Sequence, residues 1–141
     1  MHTQTSLPSY LRAVHERIDE AIAHAGFDVE QQRMLRATLA KPRAVGLANP
    51  HGDPLCLTFL IARAYGRRMD RQAAHVGAFA LLYVLSLDLF DDVQDEDLEG
   101  KPHASVPAAI AIIDAIALMF LALDELRRAI ELEKSAERRA A

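Results

Sequence analysis

The sequence predicts an all-α chain, a helical bundle of about five helices, and three observations lead there. Apolar residues make up 51% of the 141, with only 6 Gly and 6 Pro, a balance that favours packed helices over disorder. In the first quarter they recur at helical spacing, as Leu11, Val14, Ile18, Ile22 and Ala25, which marks one buried stripe of an amphipathic helix. Further on, two long runs, HVGAFALLYVLSLDLF and AIAIIDAIALMFLALDEL, are strongly apolar, as suits helices buried in a bundle or in a subunit interface.

The first helix spans Ser9 to Ala25 and stops at Gly26, which tolerates the left-handed backbone of a helix end. Asp28 caps the second, with Gln31 three residues on in a capping-box arrangement, and the helix runs to about Ala40. His15 and His24 have no spaced partner and read as surface residues. Lys41 to Asp53 holds Pro42, Gly46, Pro50 and Gly52 and reads as a loop or broken segment. Asp53-Pro54 supplies a cap and first-turn proline for a third helix ending near Gly66. A fourth starts at Asp70 and runs to Glu99, on the order of 45 Å at 1.5 Å per residue. Ser105 caps the last long helix, with Pro107 in its first turn. Beyond Leu126 the charged stretch 127–141 reads as a solvated helix end or tail of the same single domain.

Composition also excludes functions. A net charge of −4 and a pI near 5.8 argue against a nucleic-acid partner, which needs a basic face. Cys56 stands alone, so there is no internal disulfide framework and a reducing cytoplasm suits the chain. The opening MHTQTSLPSY lacks the basic start and apolar run of a signal peptide. No membrane span is expected from Val106 to Leu123, because Asp114 in its middle costs about 2.5–3.5 kcal/mol on the insertion scale.

Chemistry concentrates at the end of the fourth helix, in DLFDDVQDEDLEGKP. Asp88, Asp91, Asp92 and Asp95 fall at i, i+3, i+4 and i+7, one face of a helix. Mutual repulsion and the negative end of the macrodipole each oppose this by a few tenths to about 1 kcal/mol. A hard divalent cation relieves both, and Mg²⁺ takes oxygen ligands from one or two carboxylates, water and phosphates.

The stretch resembles the first aspartate-rich motif of the trans-prenyl diphosphate synthases, with DDVQD at Asp91 to Asp95 followed by EDLEGKPHA. Two further segments stand in the family's order: PLCLTFLIARAYG from Pro54 to Gly66, and Ala109 to Leu126, where Ile113-Asp114 takes the place of a Gly-Asp pair. The resemblance covers part of the N-terminal half of a full-length synthase. It implies an isoprenoid-synthase-like fold in which Asp91, Asp92 and Asp95, widened by Asp88, bind Mg²⁺ that grips an allylic isoprenoid diphosphate. The metal stabilises charge on the departing diphosphate. Lys101 is then the diphosphate cation, with Lys41, Arg43 and His51 as further candidates, and Tyr83, Ser86 and Leu87 border the isoprenoid tail.

Several positions depart from the family. Leu98-Glu99 replaces its paired arginines, and NPHGD before Pro54 replaces a Lys and Arg cluster, leaving His51. Phe90 stands for a His, while Leu81 and Val84 stand for a Glu and a His. No second aspartate-rich motif appears before Ala141. The expectation is therefore a chain incomplete as a catalyst by itself, acting as a homodimer or as a heteromer with a prenyl-synthase-like subunit. Two alternatives stand beside that enzyme subunit. One is a non-catalytic relative that binds an isoprenoid or regulates a synthase. The other is a helical interaction protein with a structural acidic cluster.

Overall fold

The computed structural model describes residues 6–64 and 71–140, with side chains up to Lys134. The described residues form five α-helices and two short 3-10 turns, without strands. The expected helix end at Gly66 and helix start at Asp70 lie outside the described residues.

Helix α1 (Leu7–His24) begins two residues earlier than its spacing suggests, because Ser6 caps it by accepting from the Ser9 amide and Pro8 preorganises its first turn. It stops at Gly26, whose φ is 76°. In α2 (Val29–Ala48), Asp28 accepts from the Gln31 amide at 2.9 Å, but the Gln31 side chain does not return to close the capping box. It reaches Asp114 instead, at 3.1 Å. The expected loop after Ala40 is helix. An interior proline costs about 3 kcal/mol, and tertiary anchors offset the penalty at Pro42: Arg43 Nη2 lies 2.9 Å from Asp19 and 3.3 Å from the His15 carbonyl.

A 3-10 turn (Pro50–Gly52) leads into α3 (Leu55–Ala64), where Asp53 Oδ1 accepts from the Leu55 amide at 2.7 Å. Helix α4 (Arg71–Gln94) ends five residues short of Glu99. Its stop is a Schellman motif, in which the Asp97 amide bonds the Asp92 carbonyl at 2.8 Å and Glu96 takes the left-handed position with φ 57°. Ser105 does not cap the final helix, because it closes a second 3-10 turn (Pro102–Ser105). Helix α5 (Ala108–Ala140) follows, and the Pro107 carbonyl accepts its first amide bonds from Ile110 and Ala111. The charged C-terminal stretch continues α5 to Ala140.

Helices α4 and α5 lie antiparallel, with residue 86 beside 115 and residue 75 beside 125. Small residues let them approach: Ala78 on one side and Ala111, Ala115 and Ala122 on the other have no solvent exposure. Helix α1 crosses α4 at Gly77, where a Cβ would stand 2.6 Å from Val14 Cγ2 and also strike the Tyr10 hydroxyl. Leu11, Ile18, Ile22, Leu35, Leu39, Leu82 and Leu118 fill the core between them.

Five helices do not cover both apolar ones. Val84 and Leu87 on α4, and Ile113, Ile116, Phe120 and Leu123 on α5, remain exposed, Phe120 at 68%. By length and composition α4 is apolar enough to cross a membrane, and 39% of its most apolar window is buried within the bundle.

Candidate functional site

The acidic residues gather at the C-terminal end of α4, where the helix stops before the fourth aspartate of the expected face. Asp88, Asp91 and Asp92 lie on the helix, and Asp95 follows in the cap turn, its amide 2.8 Å from the Asp91 carbonyl. Burial first, then Asp92 and Asp91, hold the Asp88 carboxyl above the ordinary aspartate value, with Lys101 opposing them. Asp88, Asp91 and Asp95 make no ion pair among the described residues.

Lys101 supplies the nearby positive charge. Its Nζ donates to Asp92 Oδ1 at 2.6 Å and to Asp97 Oδ2 at 2.9 Å. Those two hydrogen bonds raise its affinity for a proton. The lysine expected to hold diphosphate thus neutralises the motif's own carboxylates.

Among the described residues, no three His, Cys, Asp or Glu side chains converge closely enough to hold a metal ion. The donors still fit Mg²⁺ in kind. Asp91 and Asp95, one turn apart and without cationic partners, offer two carboxylates, and Mg²⁺ ordinarily completes its shell with water and phosphate oxygens.

The other expected site residues are dispersed. Arg43 is committed to Asp19 and the His15 carbonyl. Lys41 on α2 and His51 in the first 3-10 turn are exposed and make no ion pair with the acidic row. Tyr83 and Leu87 face outward at 38% and 45% exposure, while Ser86 points into the bundle and donates to the Ala115 carbonyl at 2.8 Å. These three do not line a common pocket.

Two buried polar clusters went unread in the sequence. In one, His103 Nε2 lies 3.0 Å from Asp114 Oδ2, and Gln31 holds the other Asp114 oxygen. In the other, Glu125, fully buried, meets His75 Nδ1 at 2.5 Å and Arg17 Nε at 3.2 Å. The available signal was Asp114 and Glu125 themselves. Eleven residues, three helical turns, separate them, so both fall on the Ala111–Leu118–Ala122 stripe that faces the core. His15 is also buried rather than on the surface, with neither ring nitrogen hydrogen-bonded.

Comparison with known proteins finds no matching family model, no matching curated protein and no matching solved structure.

Proposed function

We propose that this chain is a prenyl-diphosphate-synthase-like subunit that binds an allylic diphosphate through Mg²⁺ at Asp91, Asp92 and Asp95, and that it acts within an oligomer. One observation carries the reading: five carboxylates, Asp88, Asp91, Asp92, Asp95 and Asp97, crowd one helix end, where Lys101 is the one ion-paired cation among the described residues, and burial, then Asp92 and Asp91, make Asp88 hold its proton more tightly. A divalent cation relieves that excess, and once bound it would neutralise the diphosphate. The exposed apolar side chains of α4 and α5 support association with a second copy or with a synthase-like partner.

A second reading is favoured by Lys101. With that cation held by Asp92 and Asp97, and Leu98-Glu99 in place of an arginine pair, diphosphate has few partners. The subunit would then bind or regulate without turning substrate over.

Thermal melts with Mg²⁺ alone, geranyl diphosphate alone and both together test the site. A native-state ligand at a hundredfold excess over its dissociation constant adds about 2.7 kcal/mol. A shift that needs both components, and is lost in Asp91→Ala/Asp95→Ala, supports the proposal. No shift under any condition overturns it. Release of diphosphate from the same substrate then separates the enzyme subunit from the non-catalytic one. Light scattering that shows only monomer at micromolar concentration would remove the oligomer.

A further inference from the structure

The α4–α5 pair is covered on one side only. Helices α1 and α2 meet it at Gly77 and Asp114, and the side turned away from them is apolar. On α4 that side shows Val76, Tyr83 and Leu87, and on α5 it shows Ile113, Ile116, Phe120 and Leu123, at exposures from 37% to 68%. The α5 residues step by three, four and three, and the α4 residues by seven and four, so both keep the seven-residue repeat of a seam that receives another helix. Side chains of about 200 Å² at these exposures leave roughly 700 Å² uncovered, beyond the roughly 300–600 Å² of an ordinary monomer's largest patch. About 800 Å² is what each partner gives to a standard interface.

The patch matches itself. Residue 86 stands beside 115 and residue 75 beside 125. The α4 stripe, 76–87, is centred near residue 82 and the α5 stripe, 113–123, at 118, and by that pairing the two centres are level. A two-fold axis through them lays apolar stripe on apolar stripe over the whole length, as an isologous interface requires.

Charge fixes the direction of the axis. Asp88, Asp91, Asp92, Asp95 and Asp97 crowd one end of the face around Lys101, whereas at the other end Arg127 and Arg128 balance Asp124 and Glu131. A two-fold running along the helices would set two acidic rows side by side. One running across them lays α4 antiparallel on α4 and α5 antiparallel on α5, and sends the rows to opposite ends. A lipid surface suits the face less well, because the α4 stripe runs on from Leu87 into Asp91, which anionic headgroups repel.

We propose that this face is closed by a second copy of the chain, the two α4–α5 hairpins forming a four-helix bundle about a two-fold axis that crosses the helices near residues 82 and 118. The proposal rests on the oligomer of the preceding reading and names its partner; it does not rest on the ligand. Light scattering of the full chain at micromolar concentration should give a dimer. Leu87→Glu/Phe120→Glu, at positions exposed within one chain, should give a monomer of unchanged helical circular dichroism. Spin labels on Gln94→Cys in a Cys56→Ala background should lie about 36 Å apart, from twelve residues at 1.5 Å on either side of the axis. A two-fold along the helices would instead leave them roughly 14 Å apart, the diagonal of a bundle with helices about 10 Å apart. A monomeric parent, including one that binds lipid vesicles, a dimer that survives both glutamates, or the shorter label distance would overturn the proposal. None of these readouts involves Mg²⁺ or diphosphate, so failure here is distinct from failure of the acidic-row reading.

Discussion

His103 Nε2 and Asp114 Oδ2 stand 3.0 Å apart with exposures of 1% and 2%, tying the turn before α5 to the helix it leads into. Gln31 bonds the second carboxylate oxygen, so the same aspartate also fastens the start of α2. The pair fixes the connection that carries Lys101 back against the acidic row. Removing either member strands the other, and a buried polar group without a partner costs about 1–3 kcal/mol. His103→Ala and Asp114→Ala should each lose that much in urea unfolding. The double variant should lose less than the sum, since neither group is then left unpaired.

Gly77 marks the contact of α1 with α4. A Cβ there would meet Val14 Cγ2 at 2.6 Å and the Tyr10 hydroxyl, which is itself bonded to Thr58 at 2.8 Å. Neither neighbour has room to retreat, since Val14 is fully buried and Tyr10 nearly so. Gly77→Ala should destabilise by about 1–3 kcal/mol, the usual cost of overpacking, despite the better helix propensity of alanine. A midpoint equal to the parent's would show that the two helices can move apart.

Glu96 occupies the left-handed position of the α4 stop at φ 57°. A side chain there costs about 1–2 kcal/mol against the ordinary right-handed conformation, a strain that glycine avoids. Glycine returns part of the gain through its freer unfolded chain. Glu96→Gly should therefore stabilise by up to about 1 kcal/mol in chemical denaturation. Loss of stability would show that the Glu96 side chain contributes more than its backbone strain costs.

Where structure depends on neighbours in sequence, the chain is legible. Asp28 and Asp53 cap helices through bonds to residues two or three positions away, and the placing of Asp88, Asp91 and Asp92 at one helix end follows from helical spacing alone. Where the deciding contact is distant, it is not. Pro42 looks like a stop because its penalty is local, whereas Arg43 finds Asp19 only in the folded bundle. His103 looks like an exposed loop residue until α5 presents Asp114. The early end of α4 escaped notice because a glutamate, rather than a glycine, takes the left-handed position. Lys101 stands four residues after Asp97, so half of its commitment was visible, but its bond to Asp92 required the turn to close.

His15 is buried without a hydrogen bond on either ring nitrogen. Burial, and then Arg43, hold its pKa below the ordinary 6.5, against the opposing pull of Asp53 and Asp19. The sign follows from linkage. A depressed histidine is neutral in the fold, so the stability it permits is complete above pH 6.5 and falls as the pH drops toward the folded-state value. His15→Leu removes both the stranded nitrogens and the acid-side loss. The variant should equal or exceed the parent at pH 7.5, and its advantage should widen toward pH 5. A constant difference between the two proteins across that range would show that His15 does not titrate with unfolding.

Asp88 has the opposite sign. Burial, Asp92 and Asp91 raise its pKa above the ordinary 3.8, so its favourable contribution is complete below pH 3.8 and disappears as the pH rises through the folded-state value. At neutral pH the ionised carboxylate is a cost, and Asp88→Asn should raise the melting midpoint there in metal-free buffer. The gain should shrink as the pH falls below 3.8, where the parent is protonated as well. Mg²⁺ should reduce the same gain at neutral pH, because a cation bound by Asp91 and Asp95 relieves the repulsion that the substitution otherwise removes. If the gain persists undiminished in saturating Mg²⁺, the acidic row does not take up the ion, and the diphosphate reading of this helix end fails with it.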